Sequence, residues 1–404
     1  MHYSERIQAL KISPIRRLIP FADEAKAKGK KVYHLNIGQP DIKTPEEYFD
    51  AIKTFHPTTV AYQVSQGIPE LRDAISNYYK AMGVPYERED IYITCGGSEA
   101  LQFILMILCD PDDEILVPEP FYANYNTFAR LALANLRGIP TTAETGFHLP
   151  SEKVIEGLIT PRTRAIWVSH PCNPTGTMYT PDEIEMLCRL AKKHDIFIIA
   201  DEVYREFTYD RGSERFMSFG EVESARDRVI MVDSVSKRFS ACGIRIGCLA
   251  IKNKEFLAQA MKLCQGRLSV SAVEQVGAAA LYKTPKSYLE EVNKEYKMRR
   301  DVLYKGLQAI DGAVCHEPKG AFYTMVKMPI DSSEKFITWM LQNFDINGET
   351  TMAAPGNGFY SDPSRGLDEM RIAYVLKKED LEKALNILKQ AVEAYPGRME
   401  AIKA

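Results

Sequence analysis

Short runs of consecutive apolar residues alternate with longer stretches in which apolar positions recur every three or four residues, and this rhythm fills the middle of the chain. The runs IYIT at 91–94, EILVP at 114–118, AIWVS at 165–169, FIIAD at 197–201 and VIMVD at 229–233 have the length and β-branched content of buried strands, and CLAI at 248–251 is a further candidate. Helical patterns lie between them. Pro181 to His194 reads as a helix with Thr180 placed to cap it, and the apolar stretch Leu101 to Cys109 holds Gln102 and stops at Asp110-Pro111, as a buried helix does. Strand, helix, strand at this spacing predicts an α/β fold built on a large, doubly wound, mostly parallel sheet. Ligands of such sheets bind at the carboxyl ends of the strands.

Toward the carboxyl end the texture changes. A charged helical pattern runs from Ser287 to Ile310, the segments AFYTMVKM and MRIAYVL read as strands, and Lys377 to Tyr395 reads as a closing amphipathic helix. The first forty or so residues lack a core pattern of their own and are expected to pack on this same unit. The expected organisation is therefore a large domain over 48–290, and a smaller α+β domain formed by the two chain ends, 1–47 and 291–404.

A chain of 404 residues exceeds the size at which one hydrophobic core keeps growing, which agrees with two domains. Lys and Arg total 51 against 54 Asp and Glu, the formal charge is −3, and the two signs are interspersed, so nucleic acid is not the expected partner. No run has the length of a membrane span, and the amino terminus has no apolar core of signal-peptide length. The eight cysteines show no CxxC pair and no nearby histidine cluster, which speaks against metal, and several sit inside apolar runs, as reduced cytoplasmic thiols do. His34, His56, His170 and His194 have no partners in sequence suited to metal or nucleophile work. Gly356-Asn-Gly358 lacks the third glycine and the preceding strand of a dinucleotide fingerprint, so an NAD-dependent reading fails.

The unusual polar residues cluster just after the strands. Ser234-Val-Ser-Lys237 follows VIMVD, with Arg245 eight positions beyond the lysine. A lysine that forms a Schiff base must spend time as a neutral amine, and Arg245 with Ser234 supplies the fork and the hydroxyl that a phosphate needs. Taken alone, a lysine in this position reads first as part of a surface loop with ordinary charges. Gly96-Gly97-Ser98-Glu99 joins IYIT to a helix, so backbone N–H groups and Ser98 offer an anion site, or simply a cap. Asp201 ends the buried strand FIIAD, where a carboxylate is costly unless paired; a structural hydrogen-bonding role stays open. Arg371 lies within the strand-like MRIAY, either paired internally or awaiting a carboxylate.

In order along the chain stand Leu35-Asn-Ile-Gly-Gln-Pro-Asp41, Tyr62 with Gly67 and Leu71-Arg72, Gly96-Gly97-Ser98, Asn173-Pro-Thr-Gly176, Asp201-Glu-Val-Tyr204, the Lys237 segment and Arg371. Over almost its whole length the sequence resembles the class I and II aminotransferases, fold type I of the pyridoxal-phosphate enzymes, and within them the aspartate-aminotransferase-like subgroup. The resemblance implies pyridoxal 5'-phosphate held as a Schiff base on Lys237, which also shuttles the α-proton, with the phosphate at Gly97, Ser98, Ser234 and Arg245. It gives Asp201 the pyridine nitrogen, Asn173 and Tyr204 the phenolic oxygen, and Tyr122 the ring face. Phe121 and Tyr125, in the same run, read as packing residues. It assigns the substrate α-carboxylate to Arg371, helped by Asn173 and the backbone at Gly38, and has Tyr62 reach the phosphate of a neighbouring subunit, which calls for a homodimer.

The implied reaction passes the amino group of an amino acid to a keto acid, commonly 2-oxoglutarate. Where some members of the subgroup recognise the distal carboxylate by a lysine in the Gly-Gly-x turn, this chain has Ser98. Arg267 is then the alternative cation, from the partner subunit, or else an ordinary surface arginine. Aspartate is the favoured donor, with an aromatic or alanine-type aminotransferase, or a pyridoxal-phosphate β-lyase, as alternatives. A cofactor-sensing regulator would carry a DNA-binding extension, which this chain has no room for, and a non-catalytic scaffold would have lost Lys237 or Asp201.

Overall fold

The computed structural model describes residues 1–10, 12–209 and 215–400; residue 11, residues 210–214 of the expected large domain and the last four residues of the expected carboxyl-terminal domain lie outside the described residues. Strand β1 (Lys31–His34) is followed by β2 (Ile91–Thr94), β3 (Glu114–Glu119), β4 (Asn135–Pro140), β5 (Thr163–Ser169), β6 (Phe197–Asp201), β7 (Val229–Ser234) and β8 (Gly247–Ala250). The last seven of these form one sheet in the order β2-β8-β7-β6-β5-β3-β4. The pairs β4 to β3, β3 to β5, β5 to β6 and β6 to β7 run parallel. β8 runs antiparallel to both β7 and β2.

Both faces of this sheet are covered, which is why its strands are continuous apolar runs and not alternating ones. Ile166 and Val168 of β5 pack in one cluster with Leu116, Ile198 and Ala200, while Ala165 and Trp167 pack in another with Ile115, Val117 and Ile199. The helix Pro181–Lys193 buries Ile184, Leu187, Cys188, Leu190 and Ala191 against the first of these faces. It starts where the sequence places it. Thr180 Oγ accepts from the Glu183 N–H at 3.2 Å, and the Glu183 carboxylate accepts from the Thr180 N–H at 2.8 Å, a reciprocal capping box. Strand β4 is absent from the sequence-based expectation because NLRGIP has no apolar run; it is the half-exposed edge of the sheet.

Four more strands follow: β9 (Tyr323–Lys327), β10 (Glu349–Met352), β11 (Ala354–Pro355) and β12 (Glu369–Ala373). β11, β12 and β9 make an antiparallel sheet, whereas β1 pairs in parallel with β10, Lys31 opposite Glu349 through His34 opposite Met352. Leu18, Ala22, Val32 and Leu35 share a core with Phe336, Met340, Ile372 and Leu388, so the two chain ends are packed together. The 23-residue helix Lys286–Gln308 contributes Tyr296, Leu303 and Leu307 to the same core. Between this core and the carboxyl edge of the large sheet lies a cavity.

Candidate active site

That cavity, about 480 Å³, gathers every candidate residue of the sequence analysis except Tyr62 and Arg267. A larger one, about 1370 Å³, opens beside Tyr78, Arg238 and Tyr282 and contains none of them. The grouping follows from topology. Asp201 ends β6, Ser234 ends β7, and Asn173, Tyr204 and Lys237 follow within four residues of the ends of β5, β6 and β7. Parallel strands point these ends the same way.

One end of the cavity is an anion cradle. β2 passes directly into the helix Gly96–Leu108, and Gly96 adopts φ +72°, the left-handed region that favours glycine. A β-carbon there would stand 2.3 Å from Nη2 of Arg245. Arg245 therefore lies across the turn, itself in a left-handed conformation with Nη1 donating to the Cys242 carbonyl at 2.9 Å. The hydroxyls of Ser234 and Ser236 stand 2.7 Å apart beside it. A helix amino terminus, two hydroxyls and a guanidinium converging on one spot suit a phosphate.

At the floor stands Asp201, which is buried. Its Oδ2 accepts from the Tyr125 hydroxyl at 2.7 Å, whereas Oδ1 has no partner. Burial pushes its pKa up to about 6, against the hydrogen bond from Tyr125, which pulls it down. A buried carboxylate oxygen without a donor is expensive, and a protonated pyridine nitrogen relieves it. Lys237 extends from the short helix Val235–Arg238 and donates from Nζ to the Gly38 carbonyl at 3.0 Å. The Tyr204 hydroxyl is held by Nδ2 of Asn173 at 3.3 Å and lies 3.2 Å from the Tyr323 hydroxyl. Tyr122 lines the same cavity, its hydroxyl accepting from Nδ2 of Asn124 at 2.9 Å. The donor set thus fits pyridoxal phosphate: a phosphate cradle, an unsatisfied acid for the ring nitrogen, an amine, and donors for a phenolic oxygen.

Arg371 projects from β12 into the opposite wall and is buried. Nη1 donates to Oδ1 of Asn173 at 3.1 Å and Nη2 to the Asn36 carbonyl at 2.7 Å, while Nε has no partner. The rings of Tyr323 and Phe359 lie 4.5 and 5.1 Å from the guanidinium carbon. No carboxylate pairs with it among the described residues, so a buried positive charge faces a cavity that also holds an amine-bearing lysine. That is the arrangement a carboxylate substrate requires.

Several residues escaped the sequence reading. Tyr125, read as packing, does stack on Trp167 with centroids 3.7 Å apart, but its hydroxyl also serves Asp201. Tyr323 joins Tyr204 to Gly38, donating to the Gly38 carbonyl at 3.2 Å, and nothing in AFYTM marks it. Gly38 answers to it: a β-carbon there would sit 1.8 Å from the Tyr323 hydroxyl. Tyr62 stands outside the cavity of its own chain and is 81% exposed. Arg267 is turned away as well. Within its own chain Nη1 pairs with Glu99 at 2.9 Å and Nη2 donates to the Ser65 carbonyl at 3.0 Å.

Residues 30–388 match the family model described as aminotransferase class I and II. A probable aspartate aminotransferase of Methanocaldococcus jannaschii is 32% identical over 403 residues, 96% of this chain and 100% of that protein. Among solved structures, the aspartate aminotransferase of Thermus thermophilus with maleate superposes with a TM-score of 0.87 at 28% identity, covering 97% of this chain and 100% of that one. The alanine aminotransferase of Pyrococcus furiosus does so with a TM-score of 0.88 at 32% identity, covering 96% and 99%. Sequence, fold and the chemistry of the cavity therefore converge, and the chain belongs to the class I and II aminotransferases, enzymes that work with pyridoxal phosphate.

Proposed function

We propose that this aminotransferase takes aspartate as its favoured amino donor and 2-oxoglutarate as its acceptor, as a cytoplasmic homodimer. The observation that carries the substrate class is Arg371, a buried guanidinium with a free Nε and no acidic partner among the described residues, set across the cavity from Lys237. Aspartate is supported by the relatives that bear that name. We also read 1–47 and 291–404 as one small domain against 48–290, the cavity lying between them.

When bound, pyridoxal phosphate supplies an aldehyde carbon that condenses with amines and a ring that withdraws electrons from the substrate α-carbon. Gly97, Ser98, Ser234 and Arg245 would hold its phosphate, Asp201 its ring nitrogen, Asn173 and Tyr204 its phenolic oxygen, and Tyr122 its ring face. Arg371 then orients the α-carboxylate, with Asn173 bridging Arg371 to Tyr204 so that the grip on substrate and the grip on cofactor are one rigid unit. With substrate bound, Nζ of Lys237 would act first as base and then as acid, taking the proton from the substrate α-carbon and returning it. Its contact with the Gly38 carbonyl keeps it on the substrate side.

Tyr62 supports the dimer. An aromatic that is 81% exposed, beside the exposed Val60 and Val64, is characteristic of a covered face. Cysteines placed in apolar runs and without metal spacing support the cytoplasmic setting. The test is a panel of amino donors with and without 2-oxoglutarate, following keto-acid formation. Keto acid that appears only when the acceptor is present supports transamination, and acceptor-independent ammonia release would favour a β-lyase. Turnover of phenylalanine or alanine well above aspartate would remove the donor assignment.

A further inference from the structure

We infer that Arg16, on the turn that precedes the first helix of the small core, recognises the distal carboxylate of a dicarboxylic substrate. The inference rests on the dicarboxylate reading of the donor and names the residue behind it. Among the described residues, four cations line the cavity: Arg16, Lys237, Arg245 and Arg371. Three are committed. Lys237 is the cofactor lysine, Arg245 lies across Gly96 in the phosphate cradle, and Arg371 is held by Asn173 and Asn36 for the α-carboxylate. Arg16 has neither an ion-pair nor a side-chain hydrogen-bond partner among the described residues, and Asp201 is the only acid that lines the cavity with it.

The turn presents this side chain from a fixed base. The Ser13 carbonyl accepts from the N–H groups of Arg16 and Arg17 at 3.0 Å. Asn36 Nδ2, beside the Arg371 anchor, donates to the Ile15 carbonyl at 3.0 Å. Arg17 is tied down by Glu334 and by Oδ1 of Asn357, both at 2.8 Å. Arg16 thus stands between two pinned neighbours, exposed at the mouth, with its charge unopposed. Its field reaches the Tyr122 hydroxyl in the same cavity, where burial raises the pKa and Arg371 and Arg16 lower it. Ser98 brings no charge to the cavity, and in its own chain Arg267 is neutralised by Glu99. A substrate held by Arg371 at one carboxylate therefore meets Arg16 as the remaining cation of this cavity among the described residues.

The experiment measures binding to the cofactor-loaded enzyme by calorimetry, using succinate and butyrate, which have equal length and differ in one carboxylate. Wild type should prefer succinate. Arg16→Ala should weaken succinate by about tenfold, the low end for a charged hydrogen bond because Arg16 stands at the mouth, and should leave butyrate within about twofold. Arg16→Lys should recover part of the loss, and the cofactor absorbance reports that each variant is folded. Equal weakening of both ligands, no weakening of either, or transfer of the selective loss to Arg267→Ala overturns the role of Arg16 while the dicarboxylate reading stands. A wild type that binds succinate no better than butyrate overturns both.

Discussion

Replacing Tyr125 by phenylalanine isolates one hydroxyl in the site. The ring is fully buried and stacked on Trp167, so Phe should keep the packing and the fold. What disappears is the 2.7 Å bond to Oδ2 of Asp201, whose other oxygen already lacks a partner. A hydrogen bond to a charged group contributes about 1.5–3 kcal/mol. Tyr125 donates more strongly to the ionised form and so holds the Asp201 pKa down; its loss should raise that value from about 6 by roughly one to two units, at about 1.4 kcal/mol per unit. Near neutral pH much of Asp201 would then be neutral and unable to pair with the ring nitrogen. Cofactor affinity should fall about twofold to tenfold at pH 7, and by less at higher pH, where the acid is ionised again. Absorbance titration of the cofactor-free variant with pyridoxal phosphate over a pH series measures this. An affinity equal to wild type throughout, or a loss that does not vary with pH, would refute the reasoning.

Lys237→Ala should abolish transamination while the cofactor still binds without a covalent bond; a spectrum and a turnover assay decide, and measurable turnover at the wild-type rate would be fatal to the assignment. For the cofactor-free protein, Asp201 has a folded pKa near 6 against an ordinary 3.8, so its share of stability is present at low pH and lost as pH rises from about 4 through 6, on the order of 3 kcal/mol. Thermal denaturation over that range should show the decline, joined by Glu202 and Glu369, which burial raises to about 7, and Asp201→Asn should remove part of it; identical slopes would contradict the burial of Asp201. Gly38→Ala should drive the Tyr323 ring out of place and with it the Tyr204 contact, lowering kcat/KM by about tenfold or more, whereas wild-type kinetics would show that the loop yields without consequence.

Much of this protein was legible in the chain because its signals are local. A strand of a doubly covered sheet must be apolar throughout, so β5, β6 and β7 announce themselves, and whatever polar residue follows them is delivered to the same edge; Asp201 and Lys237 are readable for that reason. The Thr180 cap is equally local, spanning three residues. Tertiary structure alone decided what depends on residues far apart. Tyr125 meets Asp201 across 76 positions and Asn173 meets Arg371 across 198, encounters set by how helices and sheets close over one another and by no spacing in the sequence. The same is true of Arg267, whose charge is taken up by Glu99 from a different helix, and of Arg16, which an otherwise featureless amino-terminal turn carries to the cavity because β1 pairs with β10 and brings that end of the chain beside β12. Side-chain chemistry is written residue by residue, but the partner that gives each charge its task is chosen by packing.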